Sequence, residues 1–367
     1  MEVCQRHPAT IRVPPPPTAA RAKMTLDELR QRLRALGALP LHEGRVLRQW
    51  AQGRPLIDGA RRWHDDFYPQ RVRADLPQLT RDLAALATLQ SQHPAEDGSA
   101  RLLVGLQDGQ SIESVLLPRD GLCVSSQVGC AVGCQFCMTG REGLVRQVSS
   151  AEIVAQVALA RSLRPVKKVV FMGMGEPAHN LDQVMEAIEV LGLHGNIGHK
   201  NLVFSTVGDP RVFERLPQGP VKPALALSLH TSKRALREQL LPRAPKLAPE
   251  ELVAAGERYA RATGYPIQYQ WTLLDGVNDG EDEIDGIVRL LKGKYALLNM
   301  IPYNTIPGLA FRRPDWDRAK AIARTLHQRG VLTKLRDSAG QDIDGGCGQL
   351  RARAEKPVRL VARAAAG

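Results

Sequence analysis

Apolar and polar positions along the chain fall into three regimes. Residues 1–23 are rich in Pro, Ala and Arg, include "PPPP" at Pro14–Pro17, and show no apolar periodicity. Such a segment cannot bury enough surface to offset its ordering entropy and reads as a disordered tail. The pattern changes after Met24. Leu26, Leu29, Leu33 and Leu36 recur at helical spacing, and Thr25 with Glu28 three residues on is a capping-box signature. Met24 directly precedes that box, so the chain has two candidate starts, Met1 and Met24. Residues 24–90 read as a small helical domain. "SQHPAEDGSA" at 91–100 has the composition of a linker.

The third regime is strand–helix alternation. The short β runs "RLLVGL", "SIESVLL" and "LCVSS" come first, and with the linker they make a β extension over 91–122. The runs "KKVVFMG", "NLVFST", "PALALSL", "PIQYQWTLL" and "YALLNMIP" then alternate with the helical patterns "EIVAQVALARSL", "LDQVMEAIEVLG", "APEELVAAGERYARATG", "DEIDGIVRLLKG" and "DRAKAIARTLHQRG". Ser149, with Glu152 three residues later, caps the first of these helices. Such alternation predicts an α/β fold, a parallel sheet with helices outside, long enough for a full or partial (β/α) barrel. Chemistry in these folds sits at the carboxyl ends of the strands. Four strand ends carry polar or glycine-rich stretches, "GMGEP", "STVG", "SLH" and "PYN", and all four are expected to converge on one mouth.

Composition narrows the function. The 367 residues are 43% hydrophobic, enough for a full core. No apolar run reaches the roughly 18 residues of a membrane span, and no secretory signal is visible, so a cytoplasmic protein is expected. The net charge of +12 favours a polyanionic partner such as nucleic acid. The helical block adds Trp50, Trp63, Phe67 and Tyr68 to an excess of basic residues, in a chain only 4% aromatic. Interleaved cations and aromatics can bind RNA, and buried aromatics can equally form the core of a small domain.

Four of the six cysteines, Cys123, Cys130, Cys134 and Cys137, fall in one short segment, whereas Cys4 and Cys347 stand far away. Clustered thiols in a large chain without a secretory signal read as metal-binding or catalytic, not as a disulfide framework. "CAVGCQFC" spaces Cys130, Cys134 and Cys137 as C-x3-C-x2-C. A structural zinc site, completed by a distant ligand or by Cys123, is one reading, although zinc sites usually pair their ligands as C-x2-C twice. The other reading is three corners of a 4Fe–4S cube with the fourth iron left open, and an open position marks a catalytic metal.

The three-cysteine loop with Phe136 before its last thiol, and "GMGEP", resemble the radical S-adenosylmethionine (SAM) superfamily. "LCVSSQVGCAVGCQFCMTG", "FMGMGEP", "ALSLHTS", "GVNDG", "LNMIPYN" and "DIDGGCGQL" together resemble the RlmN/Cfr family of RNA adenine methyltransferases, from about Thr25 to Leu350. The resemblance implies a partial (β/α) barrel of the radical SAM type over 123–350, ending in a catalytic loop, with a helical RNA-binding domain at 24–90 and a basic tail at 351–367. It implies one 4Fe–4S cluster on Cys130, Cys134 and Cys137, and SAM, two per turnover, contacted by Gly175, Glu176, Ser205, Ser228, Leu229, His230 and Asn304. It also implies Cys347 as methyl carrier, Cys123 as the thiol that releases product by forming a disulfide, and Glu113 as proton acceptor. The expected partners are 23S rRNA, with tRNA as a further substrate, and an electron donor such as a flavodoxin-type protein; the expected state is a monomer without membrane attachment. The sequence departs from the family pattern in a short Glu113–Cys123 connection, in "TVGDPRVF" after Ser205, and at Gly133 and Met138. These positions bear on the target, so carbon 2 and carbon 8 of adenosine both stay open, with carbon 2 leading. A radical enzyme acting on another substrate and a zinc-containing RNA-binding protein without catalysis are the remaining alternatives.

Overall fold

The computed structural model describes residues 24–57 and 67–352. The expectations for residues 1–23, for Trp63 and for the tail beyond Ala352 lie outside the described residues.

Three helices open the chain: α1 (Leu26–Ala35), α2 (Pro40–Ala51) and α3 (Gln70–Ala84). The predicted cap of α1 is formed, with Thr25 Oγ1 accepting from the Glu28 amide at 3.1 Å and the Thr25 amide donating to Glu28 at 2.7 Å. Leu26, Leu29 and Leu33 are buried. A ten-stranded sheet follows. β1 (Thr88–Pro94), β2 (Ala100–Gly105) and β3 (Ser111–Leu117) form an antiparallel extension that joins β4 (Gly121–Cys123). A separate hairpin, β5 (Gln127–Gly129) and β6 (Leu144–Gln147), brackets the three-cysteine loop. The parallel sheet then runs from β4 through β7 (Lys168–Phe171), β8 (Leu202–Thr206), β9 (Ala224–Ser228), β10 (Ile267–Leu273), β11 (Ala296–Pro302) and β12 (Thr333–Leu335). Its covering helices are α4 (Ser150–Leu163), α5 (Leu181–Leu193), the short α6 (Pro210–Arg215) and α7 (Arg234–Leu240), α8 (Pro249–Thr263), α9 (Glu281–Leu291) and α10 (Trp316–Gln328). This is the partial barrel of the radical SAM fold.

Two expectations need correction. The stretch at 88–94, read as a helix end and linker, is the edge strand β1. Its residues are mostly exposed and polar, and it is held by backbone pairing to β2, so it carries no apolar alternation to read. The helical block is also not a separate small core. Its buried leucines, Trp50 and Tyr68 belong to one continuous cluster with the sheet. α2 packs on α4 and α5, and α3 packs on α4. α4 is therefore covered on both sides, which is why Ser150–Val157 is buried without interruption. Part of the block's charge is engaged within the fold: Arg32 bridges Asp75 and Asp82, Arg34 meets Glu43, and Arg30 reaches Glu186 on α5.

Directly paired residues of a sheet share a face. Tracing the register from Val115 to Cys123 to Val170 to Val203, and from Ser205 through Ala226 to Gln268, gives the inner face of the barrel. Ser228, Gln270, Asn299 and Lys334 lie on that same face.

Candidate active site

Three of the four strand-end stretches named from sequence, "GMGEP", "STVG" and "SLH", converge on a cavity of about 140 Å³, whereas "PYN" stays outside its lining and β11 reaches it through Ile301. Cys130, Cys134, Cys137, Gly175, Glu176, Ser205, Ser228, His230 and Cys347 all line it. The three-cysteine loop is seated on its own apolar cluster, in which Val132 and Phe136 pack with Val207, Leu240, Leu241 and Tyr303. Backbone bonds from Cys130 to Gly143, Gln135 to Leu240 and Cys137 to Cys134 fix its course, at 2.9, 3.0 and 3.1 Å. Burial raises all three thiols, Cys130 to about 12, with mutual repulsion adding to the effect. As thiolates they would be buried charges that require a bound cation. Among the described residues no three His, Cys, Asp or Glu side chains close on a single metal ion. In a 4Fe–4S cube each thiolate takes its own iron, so these wider-set donors suit a cluster better than one zinc ion.

"GMGEP" is wedged under the chain that leaves β4. The Ser126 and Gln127 amides both donate to Met174 O, and Glu176 N donates to Gln127 Oε1 at 2.7 Å. Gly175 has φ +106, and a Cβ there would lie 2.6 Å from Gln127 Cβ, so glycine is required for conformation and for space. Glu176 is buried; it accepts from the Ala178 and Val207 amides at 3.1 and 3.0 Å. Burial pushes its carboxyl up to about 7 against those bonds and one from Thr206. His230 sits at the end of β9 with φ +63 and its ring edge-on to Phe136, centroids 4.8 Å apart. Its Nδ1 accepts from the Thr272 amide at 3.0 Å. Burial, and the positive charge of Arg237, push its pKa down to about 3, so the ring is neutral.

Two expected SAM contacts do not face the cavity. Leu229 is fully buried in the core and meets the site only through its backbone. Asn304 donates to Cys347 O at 2.9 Å and to Ser338 Oγ at 3.0 Å, so it holds the thiol loop. That loop is further tied to the three-cysteine loop, by Met138 N to Gly348 O at 2.8 Å and Thr139 Oγ1 to Leu350 O at 2.7 Å. Cys347 lines the cavity and its side chain is exposed, while desolvation by the surrounding protein, and repulsion from Cys137, push its thiol up to about 11. Cys123, buried on the inner face of β4, is raised to about 12 by burial and by repulsion from Cys347. Both thiols are free.

Glu113 shares the inner face but lies outside the cavity lining. Its Oε1 accepts from Arg101 Nη1 at 2.5 Å and its Oε2 from the Arg351 amide at 2.8 Å. Arg101 also donates to Ile343 O at 2.7 Å, so this buried pair anchors both ends of the Cys347 loop to the β extension. Sequence reasoning missed Arg237 and Gln156. Arg237 is a buried cation that senses Cys134 and Glu176, donates to Val207 O and Ser228 O, and leaves Nε without a partner. In "SKRALREQLLPR" it reads as one solvated cation among several. Gln156 accepts from Ser114 Oγ and Ser125 N, both at 2.9 Å, and its position inside an apolar helical run was the only signal for it.

Residues 124–291 match the Radical SAM superfamily. The "Probable RNA methyltransferase" of Leptothrix cholodnii is 73% identical over 334 residues, 91% of this chain and 96% of that protein. A "Probable RNA methyltransferase" of Methylibium petroleiphilum is 72% identical over 338 residues, 92% and 96% of the two chains. The crystal structure of a radical SAM methyltransferase from Sphaerobacter thermophilus matches with TM-score 0.78 at 36% identity, covering 92% of this chain and all of that one. With three buried thiols facing a cavity at the strand ends, a likeness of that extent makes the chain a radical SAM enzyme, with a 4Fe–4S cluster and SAM as cofactors, and a member of the family to which these methyltransferases belong.

Proposed function

We propose that the enzyme methylates a ring carbon of adenosine in RNA through an S-methyl intermediate on Cys347, acting in the cytoplasm on carbon 2 of an adenosine in 23S rRNA, with tRNA as a further substrate. The RNA substrate is supported by the names of the similar proteins and by the +12 charge. The observation that carries the mechanism is the presence of two free thiols apart from the cluster loop, Cys347 in the cavity lining and Cys123 on the inner face of β4.

Cys130, Cys134 and Cys137 are the cluster ligands, and Gly175, Glu176, Ser205, Ser228, Leu229, His230 and Asn304 frame the SAM site. When bound, the cluster and two SAM molecules per turnover supply one methyl group and one carbon-centred radical, with the electron coming from a flavodoxin-type donor. Cys347 Sγ carries the methyl carbon as a thioether, within the cavity that excludes bulk water. Glu113 receives the proton lost from the ring carbon, exchanging its bond to the Arg351 amide as the loop admits RNA, and the unpaired electron of the adduct would return to the electron donor, so that a closed-shell thioether remains. Cys123 then attacks Sγ of Cys347. The S–S bond forms, the S–C bond breaks, and its electron pair stays on the carbon, which takes a proton to become the methyl group. A thiol reductant restores both cysteines.

Replacing Cys347 with Ala removes the carrier and should give neither product nor adduct. Replacing Cys123 with Ala should stall the reaction after carbon–carbon bond formation, leaving protein joined to RNA by a thioether that survives denaturant and reductant. A folded, cluster-loaded Cys123→Ala protein that turns over at the parental rate would refute the two-thiol mechanism. Mass spectrometry of the nucleosides against standards separates carbon 2 from carbon 8.

A further inference from the structure

Lys168 opens β7 and pairs with Gly121, two residues below the pairing of Val170 with Cys123. It therefore lies on the inner face, about 7 Å along the strand from the level of Cys123 at a rise of about 3.3 Å per residue. Lys334 shares that face through Asn299, Gln270 and Ser228. Arg336 follows two residues on, and its Nε donates to Asn299 Oδ1 at 3.0 Å, which holds it to the same side. All three side chains are exposed, yet none has a carboxylate partner among the described residues. The acidic residues nearest in sequence are engaged elsewhere: Asp120 with Lys167 at 2.9 Å, and Asp337 with Arg313 at 2.9 Å and Gln341 at 2.6 Å. The register puts all three on one face of the sheet, and burial with the charges of Arg336 and Lys334 lowers the pKa of Lys168 accordingly. Three exposed like charges on one face without carboxylate partners repel one another and suit an anion of more than one negative charge.

We propose that Lys168, Lys334 and Arg336 form a phosphate clamp inside the barrel that grips the RNA backbone next to the reacting nucleotide. The clamp rests on the RNA reading above and gives it a place on the protein. A chain gripped there lies on the same inner face as Cys123, so the clamp sets which nucleotide reaches the thiol pair, without any contact to its base. Binding by phosphate contacts carries its own signature, because each neutralised phosphate releases counterions.

The test is binding of an in vitro transcribed, unmodified 23S rRNA to the cluster-loaded protein over a salt series. The variants are K168Q/K334Q and R336Q, with Arg258→Gln/Arg324→Gln on the outer helices as the control. The slope of log affinity against log salt should fall by about 0.7–0.9 per lost phosphate contact, about 1.5 for K168Q/K334Q, and by much less for the control. The melting temperatures of Lys168→Gln and Lys334→Gln should equal or exceed the parent's, since each removes a repulsion; a role in packing predicts the reverse. A parental slope in K168Q/K334Q overturns the clamp. Loss of calorimetric pyrophosphate binding in that variant, with RNA binding intact, also overturns it and assigns the cations to a small phosphate compound. A parent that binds no RNA overturns the RNA reading itself, and the clamp with it.

Discussion

The buried pair of Arg101 and Glu113 offers a test that separates architecture from chemistry at one residue. Their side chains are 3% and 1% exposed, and their contact is 2.5 Å. Glu113→Gln removes the charge, and its single amide oxygen can serve only one of the two donors, Arg101 Nη1 or the Arg351 amide, while its NH2 group faces the other. The guanidinium is then left buried without its counter-charge, a defect that costs about 3–5 kcal/mol. Replacing both partners, as in R101M/E113Q, removes the stranded charge, and most of that loss should return, because a buried ion pair and an apolar substitute of similar volume are often close in stability. Urea unfolding of the four proteins measures the cycle. Turnover of RNA, read as methylated nucleoside, gives the second axis. If Glu113 is the proton acceptor, E113Q and R101M/E113Q are both inactive while R101M, which loses the Ile343 anchor but keeps the carboxylate, retains turnover; a purely anchoring role makes turnover follow stability across all four proteins. An E113Q protein as stable as the parent would refute the buried-pair argument, and an active double variant would refute the proton-acceptor assignment.

Two further outcomes follow from packing. Gly175→Ala combines a left-handed φ, worth about 1–2 kcal/mol, with a Cβ 2.6 Å from Gln127, which adds about 1–3 kcal/mol of overpacking; equilibrium dialysis should show SAM binding lost while iron and sulfide content is retained, and parental SAM affinity would contradict the wedge described for "GMGEP". Deleting residues 24–87 strips α4 and α5 of their cover and exposes Ala155, Leu159 and neighbouring apolar groups, at about 1.5–3 kcal/mol for each large side chain; the product should aggregate or melt well below the parent, and a soluble truncation with the parental unfolding midpoint would show the block to be an independent domain after all.

The sequence is most legible where a local rule and the global fold agree. Ser149 and Glu152 cap α4 as written, with 3.2 and 2.8 Å bonds, and the five strands from β7 to β11 each fall within an apolar run, while the short β12 was not legible. The cavity wall was legible for a different reason. Side chains at strand ends in a barrel have one common destination, so "GMGEP", "SLH" and the three-cysteine loop had to meet. What stayed hidden depends on long-range partners that leave no local trace. β1 is held by backbone bonds alone. Asn304 reads as a strand-end polar residue until the Cys347 loop is laid across it. Arg237 is one arginine among many until its helix turns it beneath Cys134.

The same distinction bears on how the thiol pair works. Cys347 reaches the cavity only because its loop is pinned at separate points: Asn304 beneath it, Met138 and Thr139 from the three-cysteine loop, and Arg101 with Glu113 at its two ends. Each is a single hydrogen bond or ion pair. A loop held this way can release a few contacts at modest cost and re-form them, since a typical net hydrogen bond contributes about 0.5–1.5 kcal/mol. A methyl carrier needs that property. Under the mechanism proposed above, the thiol would occupy the cavity in one step and present its carbon to a nucleotide in the next, while Cys123 stays fixed on β4.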